Sequence, residues 1–123
     1  MSLQNLNMTA ARFGETTSPF LSARRVGEQL GVTLSELAKL IGVARNTLTA
    51  RSGARKVDQA LSPVVRILAM AAEMAGDESR AAIWFKHQPI PGWAGKTAFD
   101  LVGEGKADKV LAYLEAVRSG VYA

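Results

Sequence analysis

The stretch from Leu34 to Arg51 reads LSELAKLIGVARNTLTAR. Leu34, Leu37, Ala38 and Ile41 stand at i, i+3, i+4 and i+7, which is one face of a helix. Thr33 and Glu36 fit a capping box at its start, each side chain accepting an N–H that the first turn leaves orphaned. Gly42 follows the last apolar residue, where a helix end favours a left-handed conformation. Val43 and Leu48 supply the apolar contacts of a second, shorter helix, and the small Ala38 lets the two helices cross closely. The pattern is a helix-turn-helix, a motif that lays its second helix in the major groove of DNA.

At about 100° per residue, Arg45, Asn46, Thr49 and Ala50 share one face of that second helix. Leu48 lies opposite, with Thr47 and Arg51 beside it. Arg45 suits the bidentate edge of guanine and Asn46 that of adenine. Thr49 suits a phosphate or a thymine methyl. Arg55 and Lys56 suit backbone phosphates, which fix register without reading sequence. Arg51 stands where such motifs usually carry an apolar residue. Either its stem packs while its head reaches solvent, or the helix ends before it. The candidate DNA contacts are therefore Arg45, Asn46, Thr49, Arg51, Arg55 and Lys56. The motif normally binds as a dimer across half-sites about 34 Å apart, so a homodimer on a palindromic operator is expected. The alternative is a degenerate motif kept only for dimer packing.

Charge is distributed in the same sense. Residues 1–60 hold eight Lys/Arg against four Asp/Glu, and residues 61–123 hold seven of each. The whole net charge of +4 thus belongs to the half with the motif. Arg45, Arg51, Arg55 and Lys56 follow one another without an intervening acid, a local patch of the kind phosphate binding needs.

Three parts are expected in an all-α chain. Residues 1–18 are polar and lack a clear period, which predicts a mobile arm. Residues 19–60 hold the helix-turn-helix unit, with a preceding helix from about Ser22 to Leu30 ended by Gly31. Residues 61–123 form a second, small helical unit, joined through the polar RSGARKVDQ. Ser62-Pro63 reads as an N-cap followed by proline at the first helical position, ahead of a buried stripe of Val64, Ile67, Leu68, Ala71 and Ala75. Gly76 ends that helix and Asp77 caps the next, which carries Ala81, Ala82, Ile83, Trp84 and Phe85. The loop HQPIPGWAGK follows. Thr97 then caps a short helix with Asp100 three residues on, Gly103 and Gly105 break it, and a last helix runs from about Lys106 to Ser119. Its inward residues are Ala107, Val110, Leu111, Leu114 and Val117, and Gly120 ends it. No run of alternating β-branched residues predicts a sheet.

The order of these segments is specific. A helix-turn-helix followed by LSPVVRILAMAAEM, AAIWFKHQPIPGWAGKTAFDLV and GKADKVLAYLEAVRSGVY resembles the Xre–MbcA–ParS type of antitoxin over roughly residues 22–122. The second half is the distinctive part, with its Ala-x-x-Trp helix (Ala81 to Trp84), its Pro/Gly loop and its terminal Gly-x-Tyr. Where the family usually has proline this chain has Ala98, a mild change in a first helical turn. The resemblance implies a cytoplasmic bacterial antitoxin paired with a RES-domain toxin that consumes NAD. It also implies a C-terminal toxin-binding domain that obstructs the toxin's active site. The N-terminal domain would mediate self-association and bind DNA at the operon's own promoter.

Trp84, Phe85, Trp93, Phe99 and Tyr122 give the second unit most of its aromatic surface. Trp84 and Phe99 read as core. Trp93 sits in a Pro/Gly loop and Tyr122 in a tail, and aromatics left exposed among polar residues are typical anchors of an interface. Trp93, Gly120, Val121, Tyr122 and Ala123 are therefore the expected toxin contacts, with the tail entering a cleft that the resemblance makes the toxin's NAD pocket.

An enzyme is not expected. His87 stands alone, without a nucleophile in motif context. Gly95-Lys96-Thr97 lacks the glycine that a phosphate-binding loop needs five residues earlier, where Ile90 stands, and no strand precedes it. With one histidine and no cysteine, neither a metal site nor a cofactor is expected. No leader peptide or membrane span is expected either. The competing reading is a stand-alone repressor whose C-terminal unit dimerises or senses a ligand. Co-transcription with a toxin gene discriminates the two.

Overall fold

The computed structural model describes residues 20–120. The expected arm, residues 1–18, and the tail residues Val121, Tyr122 and Ala123 fall outside the described residues. Within them the fold is all-α, without a strand. The helices are α1 (Ala23–Leu30), α2 (Leu34–Ile41), α3 (Arg45–Thr49), α4 (Ala54–Ala75), α5 (Glu78–His87), α6 (Ala98–Gly103) and α7 (Ala107–Arg118), with a 3-10 turn, Arg51–Gly53, between α3 and α4.

Local chemistry sets most helix ends. The Ser22 hydroxyl accepts the Arg25 N–H at 3.3 Å and starts α1. The capping box at α2 is complete: Thr33 Oγ1 accepts the Glu36 N–H and Glu36 Oε1 accepts the Thr33 N–H, both at 3.1 Å. Asp77 starts α5 by accepting the Arg80 N–H at 2.7 Å, and Thr97 with Asp100 repeats the box at α6. Gly42, at φ +74°, turns the chain out of α2 in the left-handed region that side chains disfavour.

The helix α4 corrects the expected start of the second unit. It begins at Ala54, runs unbroken to Ala75, and carries Pro63 inside it. The polar RSGARKVDQ is thus a 3-10 turn and two helical turns, and residue 60, the expected end of the first unit, lies mid-helix. A proline inside a helix forfeits one backbone hydrogen bond and crowds the preceding turn. Burial of Leu61, Val64, Val65, Ile67 and Leu68 around it holds the helix together. Pro63 itself borders a groove of about 240 Å³, where its ring has room.

α4 is the axis of the molecule. Helices α1, α3, α5 and α7 all pack on it, α1 also packs on α5, and α2 packs on α6. The two expected units therefore share one core, which joins Val26, Leu30 and Leu37 to Leu61, Ile67, Phe85, Leu101 and Val110. Burying each such side chain contributes roughly 1.5–3 kcal/mol. Covered on several sides, α4 also buries Val57, Val65 and Met70, which the single stripe omitted. Leu40 is buried on α2 for the same reason: it lies beside Gly103 of α6. Ile83, by contrast, is 59% exposed on α5. Trp84 and Phe99 are half-buried against the core, and the Phe99 ring meets Phe85 edge to face at 6.2 Å.

Polar ties cross between the halves. Gln29 Nε2 donates to the Glu78 carbonyl at 3.1 Å. The Lys86 ammonium lies 3.1 Å from where a Cβ on Gly31 would stand, at the negative end of α1, where a cation is favoured. Asp58 Oδ1 on α4 accepts the Leu21 N–H at 2.8 Å, fixing the chain's approach to α1.

Candidate functional site

The helix-turn-helix is built from α2, the Gly42 turn and α3. Leu37 and Ala38 are buried on α2 and Leu48 on α3, which turns the opposite face of α3 outward. Arg45, Asn46, Thr49, Arg51, Arg55 and Lys56 are all exposed. The helix itself is short. Ala50 is already extended, at φ −77° and ψ 131°, so Ala50 and Arg51 lie beyond the end of α3. Of the two alternatives for Arg51, the helix ends before it. Arg51 opens the 3-10 turn, and Arg55 and Lys56 stand in the first turn of α4.

That turn is held tightly. The Gly53 N–H donates to the Ala50 carbonyl at 3.0 Å. A Cβ on Gly53 would fall 2.7 Å from the Thr47 carbonyl oxygen and 2.8 Å from Thr47 Cγ2. Only glycine lets the chain return this closely past α3, and this close return brings Arg51, Arg55 and Lys56 next to the outward residues of α3.

Electrostatically the two halves differ. Arg45, Arg51, Arg55 and Lys56 form no ion pair among the described residues. In the second half, Arg80 faces Asp77, Lys96 and Lys106 face Glu104, Lys109 faces Asp108 and Arg118 faces Glu115. These four cations are thus left uncompensated among the described residues, whereas most cations of the second half are spent on neighbours.

The second candidate surface is the loop between α5 and α6. An antiparallel bridge from Pro89 to Thr97 closes it, and the Ile90 N–H donates to the Lys96 carbonyl at 2.8 Å. Ile90 is buried as its anchor. Trp93 is half-buried and packs against the core, so only part of its indole faces solvent. Lys106 Nζ lies 5.6 Å from its ring centroid. Glu104 Oε1 accepts from Lys96 Nζ at 2.9 Å and from Lys106 Nζ at 3.3 Å. The Lys96 contact first, then Lys106, holds the Glu104 carboxyl below its ordinary range. Sequence reasoning missed this cluster, because its members come from two separate turns with no periodic relation. It also passed over Tyr113, which is half-buried against the core. His87 is exposed at the end of α5, and Gly95-Lys96-Thr97 forms the approach to α6. Among the described residues no His, Asp and Glu cluster suited to a metal occurs, and no helix is long and apolar enough to cross a membrane. Of the expected toxin contacts in the tail, Gly120 is described: it is exposed, at φ +85°.

The family model of the antitoxin Xre-like helix-turn-helix domain matches residues 10–66. That of the antitoxin Xre/MbcA/ParS C-terminal toxin-binding domain matches residues 70–120. The chain belongs to the Xre/MbcA/ParS antitoxins. No curated protein and no solved structure matches it. In this antitoxin the two family domains meet at residues 67–69, inside α4. The toxin-binding domain includes Trp93, Lys96, Glu104 and Lys106, and Gly120 is its last matched residue.

Proposed function

We propose that this chain is the antitoxin of a type II toxin–antitoxin pair. It binds and blocks a RES-domain, NAD-consuming toxin through its second half and represses its own operon through the helix-turn-helix. It acts in the cytoplasm as a homodimer on a palindromic operator. Arg45, Asn46 and Thr49 face the bases, while Arg51, Arg55 and Lys56 hold phosphates. Trp93 and the segment from Gly120 through Val121, Tyr122 and Ala123 meet the toxin.

The observation that carries this reading is the joining of the two matched antitoxin domains on one helix, with the unpaired cations Arg45, Arg51, Arg55 and Lys56 gathered in the first. Unpaired cations on an exposed helix-turn-helix supply the sequence-independent attraction that DNA binding needs. The test is co-expression with the protein encoded beside the chain, followed by purification through a tag on this chain. The expected result is a stable complex, with growth arrest when this chain is omitted. Neither complex nor arrest would favour a stand-alone repressor.

A further inference from the structure

We propose that Lys106 and Glu104 are positioning residues for Trp93, and that the three make a pre-set edge of the surface that meets the toxin. The proposal rests on Trp93 being a toxin contact, as read above.

Trp93 lies in the loop before α6, whereas Glu104 and Lys106 lie in the turn after it. Side chains bridge the two across the length of the helix. Glu104 Oε1 holds both Lys96 Nζ and Lys106 Nζ, and Lys106 Nζ in turn sits over the indole. The loop backbone is tied as well, because the Lys96 N–H donates to the Trp93 carbonyl at 3.0 Å. The indole is therefore fixed by the core beneath it, the ammonium above it and the neighbouring backbone. Ala94, the next residue, holds φ +53°, a conformation that persists where the surroundings over-determine it.

Magnitudes argue against stability as the purpose. Lys–Glu pairs at this degree of exposure contribute little to folding. Fixing a large aromatic before binding is worth more, because an interface side chain that is already ordered loses less freedom on association. Trp93, Glu104 and Lys106, with Lys96 beside them, fall within the matched toxin-binding domain.

The test uses a Trp84→Phe background, in which Trp93 is the sole indole of a chain that has two tryptophans. Each variant is titrated with the protein encoded beside the chain, and Trp93 is followed by acrylamide quenching and fluorescence anisotropy. Lys106→Met should raise quenching, lower anisotropy and weaken binding about two- to fivefold, the size of a surface cation–π contact. Lys106→Arg, which keeps a cation over the ring, should restore all three. In a Trp93→Ala background, Lys106→Met should change binding no further.

Unchanged quenching in Lys106→Met overturns the proposal. So does a binding loss that persists without Trp93, since Lys106 would then touch the toxin itself. Wild-type binding by Trp93→Ala sinks the reading of Trp93 instead. A neighbour that fails to bind the unaltered chain sinks the toxin reading, while the quenching comparison still decides whether the ring is held. Should Trp84→Phe unfold the chain, the Trp93 indole N–H resonance of the two-tryptophan chain gives the same readout.

Discussion

At Gly53 a single missing carbon shapes the candidate DNA surface. Adding a methyl there brings it 2.7 Å from a backbone oxygen that cannot swing aside. Gly53→Ala should therefore destabilise the chain by about 1–3 kcal/mol, the usual cost of overpacking, as read by urea denaturation. Glu36 carries a different signature. Hydrogen bonds from the Thr33 N–H and then the Thr33 hydroxyl, helped by Lys86, hold its carboxyl below the ordinary range. A lowered folded pKa means a contribution present above the unfolded value of about 4.3 and lost as pH falls through the folded value. The melting temperature of Glu36→Gln should lie below wild type at pH 7, and the gap should close on acidification. A gap that widens in acid would refute the cap as its source. On DNA the residues of the patch should separate by role. Arg45→Ala should relax sequence preference by about 1–3 kcal/mol at one base pair, whereas Lys56→Ala should weaken all duplexes evenly and flatten the salt dependence. Equal losses on operator and scrambled duplexes, measured by titration at two salt concentrations, would remove Arg45 from base reading.

Elements whose ends are set by their own residues were legible in the sequence. Thr33 with Glu36, Asp77, and Thr97 with Asp100 all act where they were expected to, because a capping side chain reaches only two or three residues. The start of α4 was not legible. Ser62-Pro63 has the local form of a helix beginning, and only packing on several sides of α4 carries the helix through it. The burial of Leu40 and the exposure of Ile83 were not legible either. Leu40 is buried by α6, more than sixty residues away, and Ile83 lacks a covering element among the described residues. For the candidate DNA surface, the residue types were legible but the geometry was not, since the end of α3 at Thr49 and the tight return at Gly53 follow no periodic pattern. Pro63 offers the test at this scale. Pro63→Ala regains a helix-compatible N–H at an interior position where proline is about 3 kcal/mol worse than alanine. Part of this is offset by the greater freedom alanine gives the unfolded chain. A net gain of about 1–2 kcal/mol is expected by denaturant titration. A loss would mean that the ring's packing at the groove outweighs the backbone term.

Across the whole molecule, the two matched domains do not have separate interiors. α1 belongs to the first and packs on α5 of the second, α2 packs on α6, and α4 serves both. A fragment ending at residue 69 would uncover core residues such as Leu40, Leu61, Val64 and Ile67, a loss of roughly 6–12 kcal/mol if all four are exposed, as large as the net stability of a small domain. It should show no cooperative transition. The intact chain should unfold as one unit, and its own residues supply the probes. Trp84 and Trp93 both lie after residue 70, so tryptophan fluorescence follows the second half alone, whereas far-ultraviolet circular dichroism follows every helix. Coincident denaturation curves by the two signals are expected. Separated midpoints would show the halves to be independent. If the curves coincide, a ligand bound to either half stabilises the whole fold in proportion to its affinity. Toxin added to the second half should then raise the unfolding midpoint of the helix-turn-helix as well, which hydrogen exchange at Leu37 and Leu48 would register.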